Sequence, residues 1–205
     1  MRREDSLALD AFYVATVGLD WTTSTNWTVQ GVPAAMRFGV KVEGDRVVEI
    51  RMPKNNVSGS IPEFVMQNLR TLRALDLGNN RVGGALPQAL AQAPNLEILR
   101  LGQNRFTGIL PQNLASLTRL RELDLSDNLL ADTLGQCWTL TGLESLNLSG
   151  NRFTGRMSRD VARLVNLLTL DLSRNLLSDS VPPEVGTLQL LKVLRLSGNR
   201  LTGRI

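Results

Sequence analysis

The 205-residue chain has no histidine and a single cysteine, Cys137. The first absence removes the Ser-His and Cys-His nucleophile systems and the commonest metal ligand; the second removes any intrachain disulfide. Aromatic residues make up only 4% of the chain, too few for a platform on which bases or sugars stack. Basic residues outnumber acidic ones by 23 to 19, and all but Lys41, Lys54 and Lys192 are arginine. These arginines alternate with aspartates, so no continuous basic face is expected and nucleic acid is not an expected partner. No apolar run approaches the ~18 residues of a membrane span, and MRREDSLALD lacks the apolar core of a signal peptide. Neither a cofactor, a metal, an enzymatic activity nor direct membrane binding is expected.

What the chain has instead is repetition. The stretch LEILRLGQNRFTGILP, Leu96 to Pro111, reads L-x-x-L-x-L-x-x-N-x-F-x-G-x-x-P, and its skeleton recurs along most of the sequence. Aligned asparagines stand at Asn55, Asn80, Asn104, Asn128, Asn151, Asn175 and Asn199, spaced 25, 24, 24, 23, 24 and 24 residues apart. Each position has a physical task. Leu99 and Leu101 flank Arg100, so a short strand sends leucines inward and a polar side chain outward. The Asn104 amide is placed to bond backbone groups of its own turn and the next repeat. Phe106 fills the core below it, Gly108 allows a tight return, and Pro111 opens the convex side. Such a steady period predicts an α/β solenoid: a curved, right-handed array with a parallel concave sheet. Seven repeats start near 47, 72, 96, 120, 143, 167 and 191, after an N-terminal cap over 1–46.

These residues are those of a leucine-rich repeat, and G-x-[IL]-P at Gly59–Pro62, Gly84–Pro87 and Gly108–Pro111 resembles its plant-type subclass. Receptor-like kinase ectodomains and polygalacturonase-inhibiting proteins belong to that subclass. Gly18, Trp21, Asn26, Trp27, Thr28, Gly39 and Val40 resemble the cap of plant-type and protist arrays. Secreted members commonly close this cap with a cysteine pair, where this chain has Ala35, Arg37 and Val42. That departure favours a reducing, cytoplasmic location, against the alternative that some caps lack cysteines wherever they live. The three N-x-S/T sequons, at Asn26, Asn56 and Asn147, are expected by chance in such a composition and do not decide the compartment.

Within the cap, 5–17 predicts a helix capped by Asp5 or Ser6 and ended by Gly18, with Leu7, Ala11 and Val14 inward beside Phe12 and Ala15. Trp21 and Trp27 are expected to seal the first coil, and Phe38–Val42 and Arg46–Met52 to form a hairpin. The 23-residue fourth repeat, with Gly135, Cys137 and Trp138 on its return path, predicts a local kink filled by Trp138. No C-terminal cap follows the last repeat. Leu191, Leu194, Leu196 and Leu201 at its edge suggest further repeats or end-to-end self-association.

The concave columns are the candidate binding surface for a protein or peptide. The central one reads Arg51, Asp76, Arg100, Asp124, Asn147, Asp171 and Arg195, and the column after the asparagines reads Arg81, Arg105, Arg152 and Arg200. Neighbouring opposite charges in the first column can satisfy one another, whereas the second has no partner of its own and suits an acidic one. Between them runs a floor of small residues from Pro53 to Ser197 that admits a strand, helix or peptide. The competing readings are an extracellular sensor ectodomain and a structural spacer. Hydrolysis by Asp76, Asp124 and Asp171 is disfavoured, because an open sheet neither excludes water nor shifts a carboxylate far.

Overall fold

The computed structural model describes residues 2–29 and 32–203. The chain opens with α1 (Arg3–Ala15), whose inward face differs from the expected one. Asp5, Ala8, Leu9 and Phe12 are buried, while Leu7 and Val14 are 48% and 78% exposed. The reason is that Asp5 is an anchor and caps nothing. Its carboxylate accepts hydrogen bonds from the Val47 backbone N–H at 2.7 Å and from Arg46 Nε at 3.1 Å, so the helix rotates to bury it. Gly18 does not end the helix either. Val17, at φ 51°, turns the chain, and Gly18 lies beneath the Tyr13 ring, where a Cβ would collide with it.

Trp21 and Trp27 are buried as expected and meet edge to face, with ring centroids 5.0 Å apart. Each indole N–H is satisfied, Trp21 donating to the Thr16 carbonyl at 2.8 Å and Trp27 to the Phe38 carbonyl at 3.0 Å. Arg37, 9% exposed, lies with its guanidinium 5.3 Å from the Trp27 ring centre, and its Nη1 is 2.7 Å from Asp10 Oδ1. A cation over an aromatic face and an ion pair thus hold the cap where the resembling secreted proteins use sulfur. Arg37→Ala is expected to cost about 1–2 kcal/mol and to shift Trp27 fluorescence to the red as the ring is wetted; unchanged emission and midpoint would remove this role.

In chain order the strands are β1 (Val40–Glu43), β2 (Arg46–Arg51), β3 (Ser58–Ser60), β4 (Ala74–Asp76), β5 (Arg81–Ala85), β6 (Ile98–Arg100), β7 (Arg105–Gly108), β8 (Glu122–Asp124), β9 (Leu129–Leu130), β10 (Ser145–Asn147), β11 (Thr169–Asp171), β12 (Ser178–Ser180), β13 (Val193–Arg195) and β14 (Arg200–Thr202). β1 and β2 form the expected antiparallel hairpin. From β2 onward one parallel sheet runs β2-β4-β6-β8-β10-β11-β13, one strand per repeat, with β1 on its edge. The return paths are an α-helix (Glu63–Asn68) in the first repeat and short 3-10 turns in the second to sixth. Between the sheet and these turns lies a continuous core in which Leu99, Leu101, Phe106, Leu123, Leu146, Phe153 and Leu170 are fully buried.

The asparagines tie the coils together, in the opposite direction to that expected. Asn104 Nδ2 donates to Leu101 and Gly102 carbonyls of its own turn and to Leu77 of the preceding repeat, at 3.0, 3.2 and 2.9 Å. Its Oδ1 accepts from the Val82 N–H, also in the preceding repeat, at 2.9 Å. The residue before each aligned asparagine is left-handed without exception: Lys54, Asn79, Gln103, Asp127, Gly150, Arg174 and Gly198. This conformation reverses the chain, so residues after the asparagine leave the concave sheet for a second one.

The second sheet is lateral, with order β3-β5-β7-β9 and a separate pair β12-β14, linked by single bridges Thr133↔Thr154 and Arg156↔Ser178. The break falls at the short fourth repeat. The concave sheet passes through it unbroken, from β8 to β10 to β11. Trp138 and Cys137 fill the space beneath, both buried. Burial pushes the Cys137 thiol up to about 12, so at pH 8 almost none is thiolate, the reactive form. A maleimide is expected to leave the native protein unlabelled and to modify one thiol per chain in denaturant; rapid native labelling would contradict this burial.

Candidate functional site: the concave sheet

Strand register builds the central column as one file. Arg51 faces Asp76, Asp76 faces Arg100, Arg100 faces Asp124, Asp124 faces Asn147, Asn147 faces Asp171 and Asp171 faces Arg195. The charges do not pair simply along it. Arg100 grips Glu122 through Nε and Nη2, both at 2.6 Å, and reaches Asp76 only at 3.4 Å. Its pKa is raised, first by the hydrogen bond to Glu122. Arg51 turns to Glu49 of its own strand at 2.6 Å, and Lys41 joins at 3.0 Å. These contacts hold the Glu49 carboxyl below its usual range, the Arg51 hydrogen bond being the largest cause. Arg195 stands 3.8 Å from Asp171.

The aspartates and the asparagine of the file have a second role that the one-letter pattern does not display. Asp76, Asp124, Asn147 and Asp171 each use Oδ1 to accept the backbone N–H two residues on, at 2.9–3.1 Å. Each therefore shapes the turn at its strand end and keeps Oδ2, or Nδ2 in Asn147, for other contacts. Among the described residues, Asp124 has no cation within 4.0 Å. The floor beside it is made of Gly102, Ser126, Ser149 and Ser173, all small and buried.

Two outward columns were missed. Glu49, Ile98, Glu122, Ser145 and Thr169 lie two residues before the central file, and Arg73, Glu97, Arg121 and Glu144 precede them by one more. For the first of them the period of two along a strand was the available signal, since residues i and i−2 share a face. Arg121 pairs with Glu144 at 2.6 Å and Arg73 with Glu43 at 2.8 Å. A hollow of about 290 Å³ opens between these columns, lined by Ile98, Glu122, Ser145, Leu168 and Thr169 among others.

Arg81, Arg105, Arg152 and Arg200 are not on this surface. Arg81, Arg105 and Arg200 begin strands β5, β7 and β14 of the lateral sheets, and Arg152 continues the same row by bonding the Leu130 carbonyl through its N–H at 2.8 Å. The left-handed residue and the asparagine before each of them place it around the corner. Among the described residues no group of three metal-ligating side chains is close enough to hold an ion, and no helix is long and apolar enough to cross a membrane.

A "Leucine rich repeat" family model matches residues 70–130 and 94–153, and a second of the same description matches 166–188. A probable inactive receptor kinase of Arabidopsis thaliana is 39% identical over 70 residues, which is 34% of this chain and 11% of that protein. The solved structure of the Arabidopsis receptor kinase HAESA, in complex with the peptide hormone IDA and the co-receptor SERK1, superimposes with a TM-score of 0.85 at 28% identity, over 96% of this chain and 34% of that one. The leucine-rich repeat ectodomain of the receptor kinase SOBIR1 from Arabidopsis thaliana gives 0.68 at 26% identity, over 98% and 96%. The chain thus spans about a tenth of the length of the curated receptor kinases it matches. These relatives are receptor kinases and ectodomains, which overturns the cytoplasmic expectation. In this cap Arg37 lies over Trp27 and beside Asp10, contacts that involve no cysteine and so carry no information about the compartment.

Proposed function

We propose, because the chain belongs to the leucine-rich repeat family and is similar to plant receptor ectodomains, that its concave face is a non-catalytic recognition surface for a protein or an extended peptide at the cell surface. The observation that carries this reading is the floor of the concave sheet. Gly102, Ser126, Ser149 and Ser173 form a shallow track with no bulky side chain, and Asp124 Oδ2 and Asn147 Nδ2 line it without a partner among the described residues, between Arg100, held by Glu122, and Asp171, near Arg195. Small floors admit a backbone, and bordering charges set its register. The HAESA structure, bound to a peptide hormone, supports the same class of partner. The carboxylates serve as turn formers and hydrogen-bond acceptors; catalysis would need a closed, dry site to move their pKa values.

The test is capture from extracellular fluid of the source tissue by the immobilised chain and by a Ser145→Arg/Thr169→Arg variant. Both positions are half-exposed on the concave sheet and outside the asparagine ladder. After circular dichroism shows equal folding, a partner held by the first chain and at least tenfold weaker on the second is expected. The same partners held equally by both would remove the concave face from the reading. Mass spectrometry of the secreted chain adds a check, since a glycan on Asn147 would obstruct the track.

A further inference from the structure

A second surface, separate from the concave one, lies along the lateral sheets. The residue after each aligned asparagine reads Arg81, Arg105, Leu129, Arg152, Leu176 and Arg200 over six successive repeats. All six are exposed, the leucines at 44% and 36%; the first five are followed by a buried residue, from Val82 and Phe106 to Leu177, and Arg200 by the half-buried Leu201. The four arginines have no carboxylate within 4.0 Å among the described residues, whereas on the concave side Arg51, Arg73, Arg100 and Arg121 are all ion-paired. Two of the three acidic groups nearest in sequence are engaged, while Asp179, exposed and three residues after Leu176, accepts the Ser180 N–H at 3.3 Å and pairs with no cation among the described residues. Asp127 holds Arg174 at 2.9 Å, and Asp132 accepts the Leu110 and Thr133 N–H groups at 2.9 and 2.7 Å.

Register adds the spacing. Gly83 faces Arg105, Thr107 faces Leu129 and Ser178 faces Arg200, so each lateral strand is displaced by two residues against the repeat. A step of ~4.8 Å across strands and ~6.6 Å along them separates successive members of the row by about 8 Å. An extended chain presents side chains on one face every ~6.6 Å, close enough for about a dozen residues to follow the whole row.

We propose that this row docks an extended, acidic protein segment that carries apolar side chains between its carboxylates. Four free guanidiniums supply the charge complementarity and the preference for carboxylates. The two leucines decide the class of partner. A pure polyanion gains nothing from exposed Leu129 and Leu176, while a protein segment buries them against its own apolar side chains.

The experiment is selection of a random dodecapeptide phage library on the immobilised chain, followed by affinity measurement of the enriched peptides on variants. Peptides with acidic and apolar residues at alternate positions are expected. Their affinity should fall at least tenfold with Arg105→Glu/Arg152→Glu and about threefold with Leu129→Ser/Leu176→Ser, weaken with salt, and stay unchanged with the concave Ser145→Arg/Thr169→Arg. Polyglutamate should bind at least tenfold less tightly than these peptides. The proposal is overturned if polyglutamate binds equally well and the leucine variant has no effect, which marks a general polyanion patch. It is equally overturned if no enriched peptide responds to the arginine reversals, or if the arginine variant abolishes a dimer of this chain seen by ultracentrifugation.

Discussion

Asn128→Ala is expected to destabilise the protein by about 3 kcal/mol, seen as a fall of about 6–12 °C in the melting midpoint of a chain this size. Asn128 is buried in the middle of the array and makes four hydrogen bonds. Nδ2 donates to the Leu101, Leu125 and Ser126 carbonyls at 3.0, 3.1 and 3.0 Å, and Oδ1 accepts from the Phe106 N–H at 2.9 Å. Removal is not equally costly for all four partners. The Leu101 carbonyl keeps Asn104 Nδ2, Leu125 keeps Asn151 Nδ2 and Ser126 keeps the Gln103 N–H. The Phe106 N–H is left alone in the core, and an orphaned buried donor costs about 1–3 kcal/mol before the cavity is counted.

Asn128→Asp separates these effects. It keeps the acceptor for Phe106 but sets a carboxylate against three carbonyl oxygens, so its neutral form is favoured and its folded pKa rises. A carboxyl with a raised folded pKa carries no penalty below its unfolded value, about 3.9, where it is neutral in both states. The penalty appears as pH increases through that value. The Asp variant should therefore approach the wild type at pH 3 and fall behind it by pH 7. An alanine variant with a wild-type midpoint would show that the ladder is dispensable.

Trp138→Ala should have a comparable or larger effect, about 3–5 kcal/mol. The ring is fully buried on the return path of the one repeat that is a residue short. Its indole nitrogen has no hydrogen-bond partner among the described residues. Trp138→Phe removes that unsatisfied donor with only part of the volume, and should cost less than about 1.5 kcal/mol. Equal losses for Ala and Phe would mean that the indole N–H is bonded after all. Because coils contact only their neighbours, the damage should centre there, with hydrogen exchange rising first in the fourth and fifth repeats.

The relation of pattern to structure differs from one part of the chain to another. The seven strands, the buried leucines and the central file were legible, since a period of two within a strand and of about 24 between coils leaves one way to bury every leucine. Glu49 and Glu122, which take Arg51 and Arg100 away from the aspartates, share the outward face by the same period, but reading one column per strand passed them over. The cap helix misled because a buried Asp5 contradicts the rule that charges face water. It is tolerable only because Val47 and Arg46, more than forty residues on, satisfy it.

What the amino-acid sequence determined by itself is the solenoid, its core and its register, because these follow from apolar spacing and a repeated asparagine that any single coil displays. What only the tertiary structure decided is which face each polar residue serves. The left-handed residue before every asparagine turns the chain off the concave sheet, sending Arg81, Arg105, Arg152 and Arg200 to a lateral row, apart from the aspartates they stand beside in sequence. A backbone torsion that Lys, Asn, Gln, Asp, Gly and Arg all adopt at that position leaves no residue signature; it is imposed by bonds to the neighbouring coil, and so it is visible only once the coils are stacked.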